Sequence, residues 1–211
     1  MDNYIPISKE VLQEYSNSLY YYAVSIKLLT NYQVLWYNKS SRELQINLGL
    51  ERRDAVFQAL KVSRTTFYKW WGKLTQDFVV RTEGYLCLMP YPVWEKFAAL
   101  IDDMPIKSKN LYTRVFLFMY FNISANSNQW GNSVENIAAA LKMDHSKVSE
   151  ILIWTEQKGL IERSNYASSY GLSRNYYLPR ELWTDARLYE EEQLKMKKSL
   201  ATSQNISYNK L

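Results

Sequence analysis

Apolar residues recur at helical spacing in two separated stretches of the chain. Val56 and Leu60 predict a short helix at 52–61, and Ile137 and Leu141 predict one at 133–142. After a short turn, each stretch is followed by a second helical pattern. The residues expected to face inward there are Phe67, Trp71 and Leu74 in the first copy and Val148, Leu152 and Thr155 in the second.

Polar residues and one glycine mark the expected ends of these helices. Ser133 precedes the helix at 133–142, whereas Ser63 and Asp144 precede the second helix of each pair, and such residues cap helix N-termini. Gly159 is the expected stop of the last helix, because a left-handed terminal residue is easiest without a Cβ. Phe78 stands where the first pair would carry the matching glycine, so that stop signal is missing.

The two helix pairs align with each other without gaps. Ala59-Leu60-Lys61-Val62 matches Ala140-Leu141-Lys142-Met143 at an offset of 81 residues. Similarity of residue type continues downstream, for example between Val79 and Leu160. We therefore interpret the chain as two copies of one fold.

A strand pair is expected after the first helix pair. Residues 77–82 and 85–89 flank Glu83-Gly84, where glycine supplies the positive φ that a tight hairpin turn requires. Residues 43–48 are expected to add a third strand to this copy.

A second strand pair is expected at 160–166 and 173–178, with a longer tip at 167–172. Short hairpins beside several helices predict a fold that is mainly α with small β wings, an α+β fold of two tandem helix-turn-helix units.

Additional helices are expected around these units. One at 9–29 precedes the first copy, one at 110–121 precedes the second, and prolines bracket a short one at 93–101. Near the C-terminus, one mostly apolar helical seam consists of Leu182, Ala186, Tyr189, Gln193, Met196 and Leu200. The predicted divisions are a first domain at 1–90, a connector at 91–108, a second domain at 109–179, a C-terminal helix at 180–200 and a frayed tail at 201–211.

The segments ALKVSRTTFYKWWGKL and ALKMDHSKVSEILIWTEQKGLIER resemble the helix-turn-helix core of winged-helix proteins. The second resembles bacterial regulators of the multiple-antibiotic-resistance-repressor type. Two such units in one chain are also loosely similar to plasmid replication initiators and to condensin-associated segregation subunits. The resemblance covers 110–180 well and 19–90 loosely, and it implies tandem winged units that bind double-stranded DNA.

Charge and composition are compatible with a polyanionic partner. The formal net charge is +5, and residues 39–81 carry nine cations against four acids. The 18 Tyr, 7 Trp and 7 Phe are expected mainly in the core. The single cysteine, Cys87, excludes an internal disulfide framework and fits a reducing compartment, so we expect a cytoplasmic, nucleoid-associated protein. No signal sequence or membrane-spanning apolar run is seen.

The first copy carries the stronger candidate for a DNA-reading helix, at 63–74. With the apolar residues inward, its outer face would hold Ser63, Arg64, Thr65, Thr66, Tyr68, Lys69 and Lys73, and no acid is among them. Arg64 is placed to reach a guanine edge, and Ser63 and Thr65 to contact phosphate near the helix N-terminus. The alternative is a solvated cationic face on an ordinary helical unit.

The second copy is a weaker candidate. Its outward residues are His145, Ser146, Lys147 and Ser149, but Glu150 lies on or beside the same face and would repel phosphate. The alternative is that this unit contacts protein or positions the first unit. Hairpin cations expected to enter the minor groove or to touch phosphate are Arg81, Arg163 and Arg174.

The leading hypothesis is a sequence-specific double-stranded DNA-binding protein acting as a transcriptional regulator. A plasmid or phage replication or segregation factor is one alternative, and a protein-interaction scaffold is an alternative of another class. We expect no enzymatic activity, cofactor or metal, because no phosphate loop, nucleophile elbow or metal-ligand cluster is present and His145 stands alone. Two arrangements of the terminal helices stay open: a homodimer through them, or packing against the chain's own domains.

Overall fold

A computed structural model describes residues 4–38, 43–74, 77–81, 84–126, 128–168 and 171–182. Within these ranges the chain is mainly helical with small antiparallel sheets, which confirms the α+β class. The α-helices are α1 (Lys9–Glu14), α2 (Leu19–Leu29), α3 (Arg53–Leu60), α4 (Arg64–Trp71), α5 (Tyr91–Ile101), α6 (Ile106–Ala125), α7 (Val134–Leu141) and α8 (His145–Gln157).

The strands form three antiparallel sheets. Their bounds are β1 (Tyr4–Ile7), β2 (Thr30–Asn38), β3 (Glu43–Leu48), β4 (Asp77–Arg81), β5 (Cys87–Pro90), β6 (Trp130–Asn132), β7 (Glu162–Ser168) and β8 (Gly171–Tyr177). The strand orders are β1-β5, β2-β3-β4 and β6-β8-β7.

The helix pairs α3–α4 and α7–α8 repeat at the offset expected from the sequence. Both first helices begin and end at positions 81 residues apart, and so do the N-caps Ser63 and Asp144. Lys61 and Lys142, which follow the first helices, both take the left-handed conformation, with φ of 51° and 50°. The sequence match therefore corresponds to a matching backbone turn.

The predicted helix ends of the second copy are confirmed. The hydroxyl of Ser133 accepts a hydrogen bond from the Asn136 amide, and the carboxylate of Asp144 accepts one from the Lys147 amide. Gly159 has φ of 64°, as its role as a helix stop requires. The expected inward residues Val148, Leu152 and Thr155 are fully buried.

The predicted hairpin around Glu83-Gly84 is wrong. Strand β4 pairs with β3, as expected for 43–48, but β5 pairs with β1, in a register that sets Tyr4 opposite Pro90. All four residues of β1 are buried, and burial of this apolar surface favours the pairing of β5 with β1. The hairpin of the first sheet is instead β2–β3, which precedes α3.

The second hairpin is confirmed, with a shorter tip than expected. The β7–β8 ladder continues to Ser168 opposite Gly171, within the stretch predicted as the loop. Strand β6, which the sequence pattern did not indicate, pairs with β8 and completes the sheet. The three-residue length of β6 is too short for an alternating pattern to be visible.

The predicted helix at 9–29 is divided into α1 and α2. A turn at residues 15–18 separates them, and Tyr15 ends α1 while Ser18 accepts the first main-chain bond of α2, from Tyr22. Polar Ser and Asn residues favour such turns because their side chains compete with helical bonding. The helix expected at 110–121 is longer, since α6 begins directly after Pro105.

One aromatic core connects α2, α5 and α6. The rings of Phe97 and Phe116 stack with centroids 4.2 Å apart, and Tyr20 lies 6.0 Å from Trp94. Leu182, at the end of the described chain, is also buried. The rest of the helix predicted at 180–200 and the tail predicted at 201–211 lie outside the described residues.

Candidate nucleic-acid interface

Helix α4 is held by one capped end and one apolar face. The Ser63 hydroxyl accepts a hydrogen bond from the Thr66 amide at 3.2 Å and donates one to the Thr66 hydroxyl at 2.9 Å. Phe67 is 2% exposed and packs edge-on against Phe57 of α3, with ring centroids 5.2 Å apart. The cap and this packing set which side of α4 meets solvent.

The expected inward set needs one correction. Phe67 and Leu74 are buried as predicted, but the indole that turns fully inward is that of Trp70, not Trp71. Trp70 packs edge-on against Tyr21 of α2, whereas Trp71 is only partly buried and stacks on Phe67. The two buried residues of α4, Phe67 and Trp70, are spaced i, i+3, whereas the predicted pair Phe67 and Trp71 is spaced i, i+4. Helix α4 ends at Trp71.

The opposite side of α4 is exposed and cationic. Each of the seven residues expected there is exposed: Ser63, Arg64, Thr65, Thr66, Tyr68, Lys69 and Lys73. Among the described residues, no carboxylate forms an ion pair with Arg64, Lys69 or Lys73. We call this set the α4 face. It can offer hydrogen-bond donors and positive charge to an anion without first breaking an ion pair.

Two residues beside the α4 face were missed by the sequence reasoning. The Arg53 guanidinium lies 5.9 Å from the centre of the Tyr68 ring, a cation–π distance that joins α3 to this face. Lys61 is exposed at the left-handed turn between α3 and α4. Residues 55–76 contain no aspartate or glutamate, and this feature of the sequence could have indicated Lys61 as part of a cationic surface.

The matching side of α8 is different, because its charges are paired. The Lys147 ammonium contacts both carboxylate oxygens of Glu150 at 2.7 and 2.8 Å, and the His145 imidazole lies 3.3 Å from a carboxylate oxygen of Glu135. The hydrogen bond from Lys147 lowers the pKa of Glu150. Ser146 is exposed and Ser149 is partly buried.

An apolar side chain also interrupts the outer side of α8. Ile153 is 42% exposed there, and the neighbouring Trp154 packs edge-on against Tyr112 with ring centroids 4.8 Å apart. The Tyr112 hydroxyl lies 3.3 Å from a carboxylate oxygen of Glu150. The outer side of α8 is therefore a mixed apolar and charge-compensated surface.

Of the three hairpin cations, the two with described side chains, Arg163 and Arg174, are partly buried. Arg163, on β7, is largely buried and bound to Glu156, with its Nε donating at 2.8 Å. Arg174, on β8, is partly buried and lies opposite Asn165 in the ladder. The backbone of Arg81 pairs with Glu43 at the end of β4, and its side chain lies outside the described part of the chain.

Within the described ranges, no three His, Cys, Asp or Glu side chains converge in a way that could hold a metal ion. Cys87 is buried on β5. No helix in the same ranges combines the length and apolar character needed to cross a membrane.

No protein-family model matches the chain. No curated protein matches it significantly.

Proposed function

We propose that the chain is a sequence-specific double-stranded DNA-binding protein that inserts α4 into the major groove. The α4 face carries the proposal, since it presents Arg64, Lys69 and Lys73 to solvent with no ion-pair partner among the described residues. The major groove of B-DNA is about 12 Å wide and accepts an α-helix whose outer side chains meet base edges and phosphates.

Position along α4 suggests a division of labour. Arg64 is the first residue of the helix, and the N-terminal residues of a recognition helix are those that reach base edges. Ser63 and Thr65 lie at the same end, where backbone N–H groups and the helix dipole favour a phosphate. Lys69 and Lys73 follow further along the helix and would contact the phosphate backbone.

The order of elements supports tandem winged helix-turn-helix units. In the second half, α6, β6, α7, α8 and the β7–β8 hairpin follow one another, and β8 lies between β6 and β7 in the sheet. The first half has the same helix pair but places its hairpin, β2–β3, before α3. The first half would therefore recognise DNA mainly through α4, because its hairpin does not follow the helix pair as it does in the second half.

For the second unit we propose contact with protein rather than DNA. Glu150 neutralises Lys147, the lysine of α8, Glu135 lies beside His145, and exposed Ile153 gives the outer side of α8 an apolar centre. Regulation of transcription is the biological role we favour, with replication or segregation of a plasmid or phage as the alternative. Footprints at promoters would support the first role, and footprints on repeated origin-like elements the second.

The direct test is selection of bound duplexes from a random DNA pool, followed by titration of the enriched duplex in increasing salt. Each phosphate contact releases counterions, so affinity should fall steeply between about 50 and 200 mM salt. Failure to enrich any motif, together with binding that ignores salt, would refute the proposal.

The sharpest variant is Arg64→Ala. Removing a guanidinium that contacts a base should cost about 1–3 kcal/mol of binding free energy and relax the preference at one base position. The matched control is His145→Ala, because His145 occupies the same position in the second helix pair. His145→Ala should leave duplex affinity unchanged. Equal losses in both variants would contradict the assignment to α4.

A further inference from the structure

A cavity of about 650 Å³ lies where α1, α6 and the end of α7 meet. This size is within the range of small-molecule sites, which is about 300–1,000 Å³. On one side Leu12 of α1 contributes an apolar wall, and on the other Phe118 and Phe121 of α6 do so. All three side chains are partly buried and pack against the core, so the wall is a continuation of the protein interior.

The rim of this cavity is cationic. Lys9 of α1, Arg114 of α6 and Lys142 after α7 all line it, and they come from three separate elements. No aspartate or glutamate is among the described residues that line the cavity. Gln13 and Asn122 add neutral polar groups. Positive charge above an apolar wall is complementary to a molecule with an anionic head and an apolar body.

Arg114 is the most buried of these cations. Its side chain is partly buried, and its Nη2 donates a hydrogen bond to the Leu141 carbonyl oxygen at the end of α7. No carboxylate in the described chain forms an ion pair with it. Burial lowers the pKa of the guanidinium, and no neighbouring acid opposes this effect. A guanidinium has five donors, so others stay available to an anion beside the one used on Leu141.

We propose that this cavity binds a small organic anion, a carboxylate or phosphate monoester, whose head contacts Lys9, Arg114 and Lys142 and whose apolar body lies against Leu12, Phe118 and Phe121. The proposal is independent of the function proposed for α4. A DNA phosphate is a poorer fit, because the sugar-phosphate backbone has no extended apolar group to cover the phenylalanine wall.

Three probes with the same eight-carbon chain test the head group: octanoate, octyl phosphate and 1-octanol. Thermal unfolding of the full chain is followed with each, and affinities are measured by calorimetry. A ligand that binds the folded state at saturation should raise Tm by about 5–10 °C. We expect this from octanoate or octyl phosphate and not from neutral 1-octanol. The anion that binds more tightly shows whether the natural ligand carries a carboxylate or a phosphate.

Variants locate the binding. The double variant Lys9→Gln with Lys142→Gln should lower the affinity for the anion by about fivefold or more, since two exposed charge contacts are lost. Gln13→Glu places a negative charge at the rim and should also lower the affinity for the anion. The matched control is Lys96→Gln with Lys107→Gln, because these exposed lysines of α5 and α6 do not line the cavity. The control should bind the anion like the unmodified chain.

Three results would overturn the proposal. The first is that neither anion binds, and the second is that 1-octanol binds as tightly as the anions. The third is that the rim variants bind the anions normally but lose affinity for duplex DNA, which would make the rim part of a DNA surface. Unfolding curves without ligand show whether each variant is folded before its affinity is interpreted.

Discussion

Helices α4 and α8 occupy equivalent places in the two halves of the chain and present opposite surfaces. Both begin one residue after a polar cap, and both follow a lysine in the left-handed conformation. Residues 55–76 nevertheless carry four cations and no acid, whereas the equivalent residues 136–157 carry two cations and three acids. Lys69 of α4 even has Glu150 as its counterpart in α8.

This contrast teaches that a repeated backbone does not repeat its chemistry. The inward residues pack each helix against the core in the same way, since Phe67 and its counterpart Val148 are both buried. The outward residues differ, and only they decide what each helix can bind. Proposals for the two halves should therefore rest on surface charge, and experiments should compare matched positions.

Phe67→Ala should have the largest effect, because it removes the residue that docks α4. Truncation of a buried phenylalanine to alanine costs about 3–5 kcal/mol of unfolding free energy. Urea unfolding measures the loss. Tyr68→Ala is the matched control, since the neighbouring side chain is 53% exposed. Equal stability of the two variants would show that α4 is not docked through Phe67.

Lys69→Glu gives α4 the charge that α8 has at the matching position. It should weaken binding to every duplex by roughly tenfold and reduce the salt slope by about one phosphate contact, because a phosphate contact carries no sequence information. Fluorescence anisotropy titrations at several salt concentrations measure both effects.

Glu150→Gln provides the comparison from the other half. It releases Lys147 from its ion pair, so α8 should become slightly more attractive to DNA. A gain here as large as the loss in Lys69→Glu would indicate that both helices already contact the duplex. That outcome would remove the distinction between the two halves.

The smallest predicted effect is on the stability of the fold at acid pH. The hydrogen bond from the Lys147 amide lowers the pKa of the Asp144 carboxyl, whereas its counterpart Ser63 does not titrate in this range. A lowered pKa stabilises the folded state above the ordinary pKa of the group, and this stabilisation is lost as pH falls through the lowered value. Acid should therefore weaken the second half selectively.

Asp144→Ser tests this asymmetry. It should make unfolding midpoints in urea less dependent on pH between about pH 6 and pH 3. Some dependence should persist, because Glu135 and Glu150 also have lowered pKa values. Ser63→Asp is the reciprocal variant and should increase the dependence. An unchanged profile in both would contradict the role of the caps.

Local signals in the sequence predicted the helix pairs well. Ser63, Ser133 and Asp144 were identified as caps because capping depends on side-chain chemistry within three residues of the helix start. Gly159 was identified because its conformation is rare for other residues. The charge contrast of α4 and α8 was also visible, since it depends only on residue types and helical spacing.

Non-local pairing was not predictable in the same way. Residues 85–89 follow the turn signal Glu83-Gly84 in the sequence, yet β5 pairs with β1 at the other end of the first half, because burial of apolar surface rather than proximity along the chain decides the partner. The choice between Trp70 and Trp71 had the same origin, since the edge-on packing of Trp70 against Tyr21 depends on where α2 lies. The cavity between α1, α6 and α7 likewise requires three distant segments.

The β1–β5 pairing also sets a limit on how the first half can be cut out of the chain. Ile5 and Ile7 are completely shielded from water, and Met89 on the paired strand is as well. A fragment ending before Cys87 would lack β5 altogether, which would expose Ile5 and Ile7 to water and leave the edge of β1 open to neighbouring molecules. Anyone excising the first half for binding studies should keep it intact through Pro90 and expect precipitation from shorter pieces.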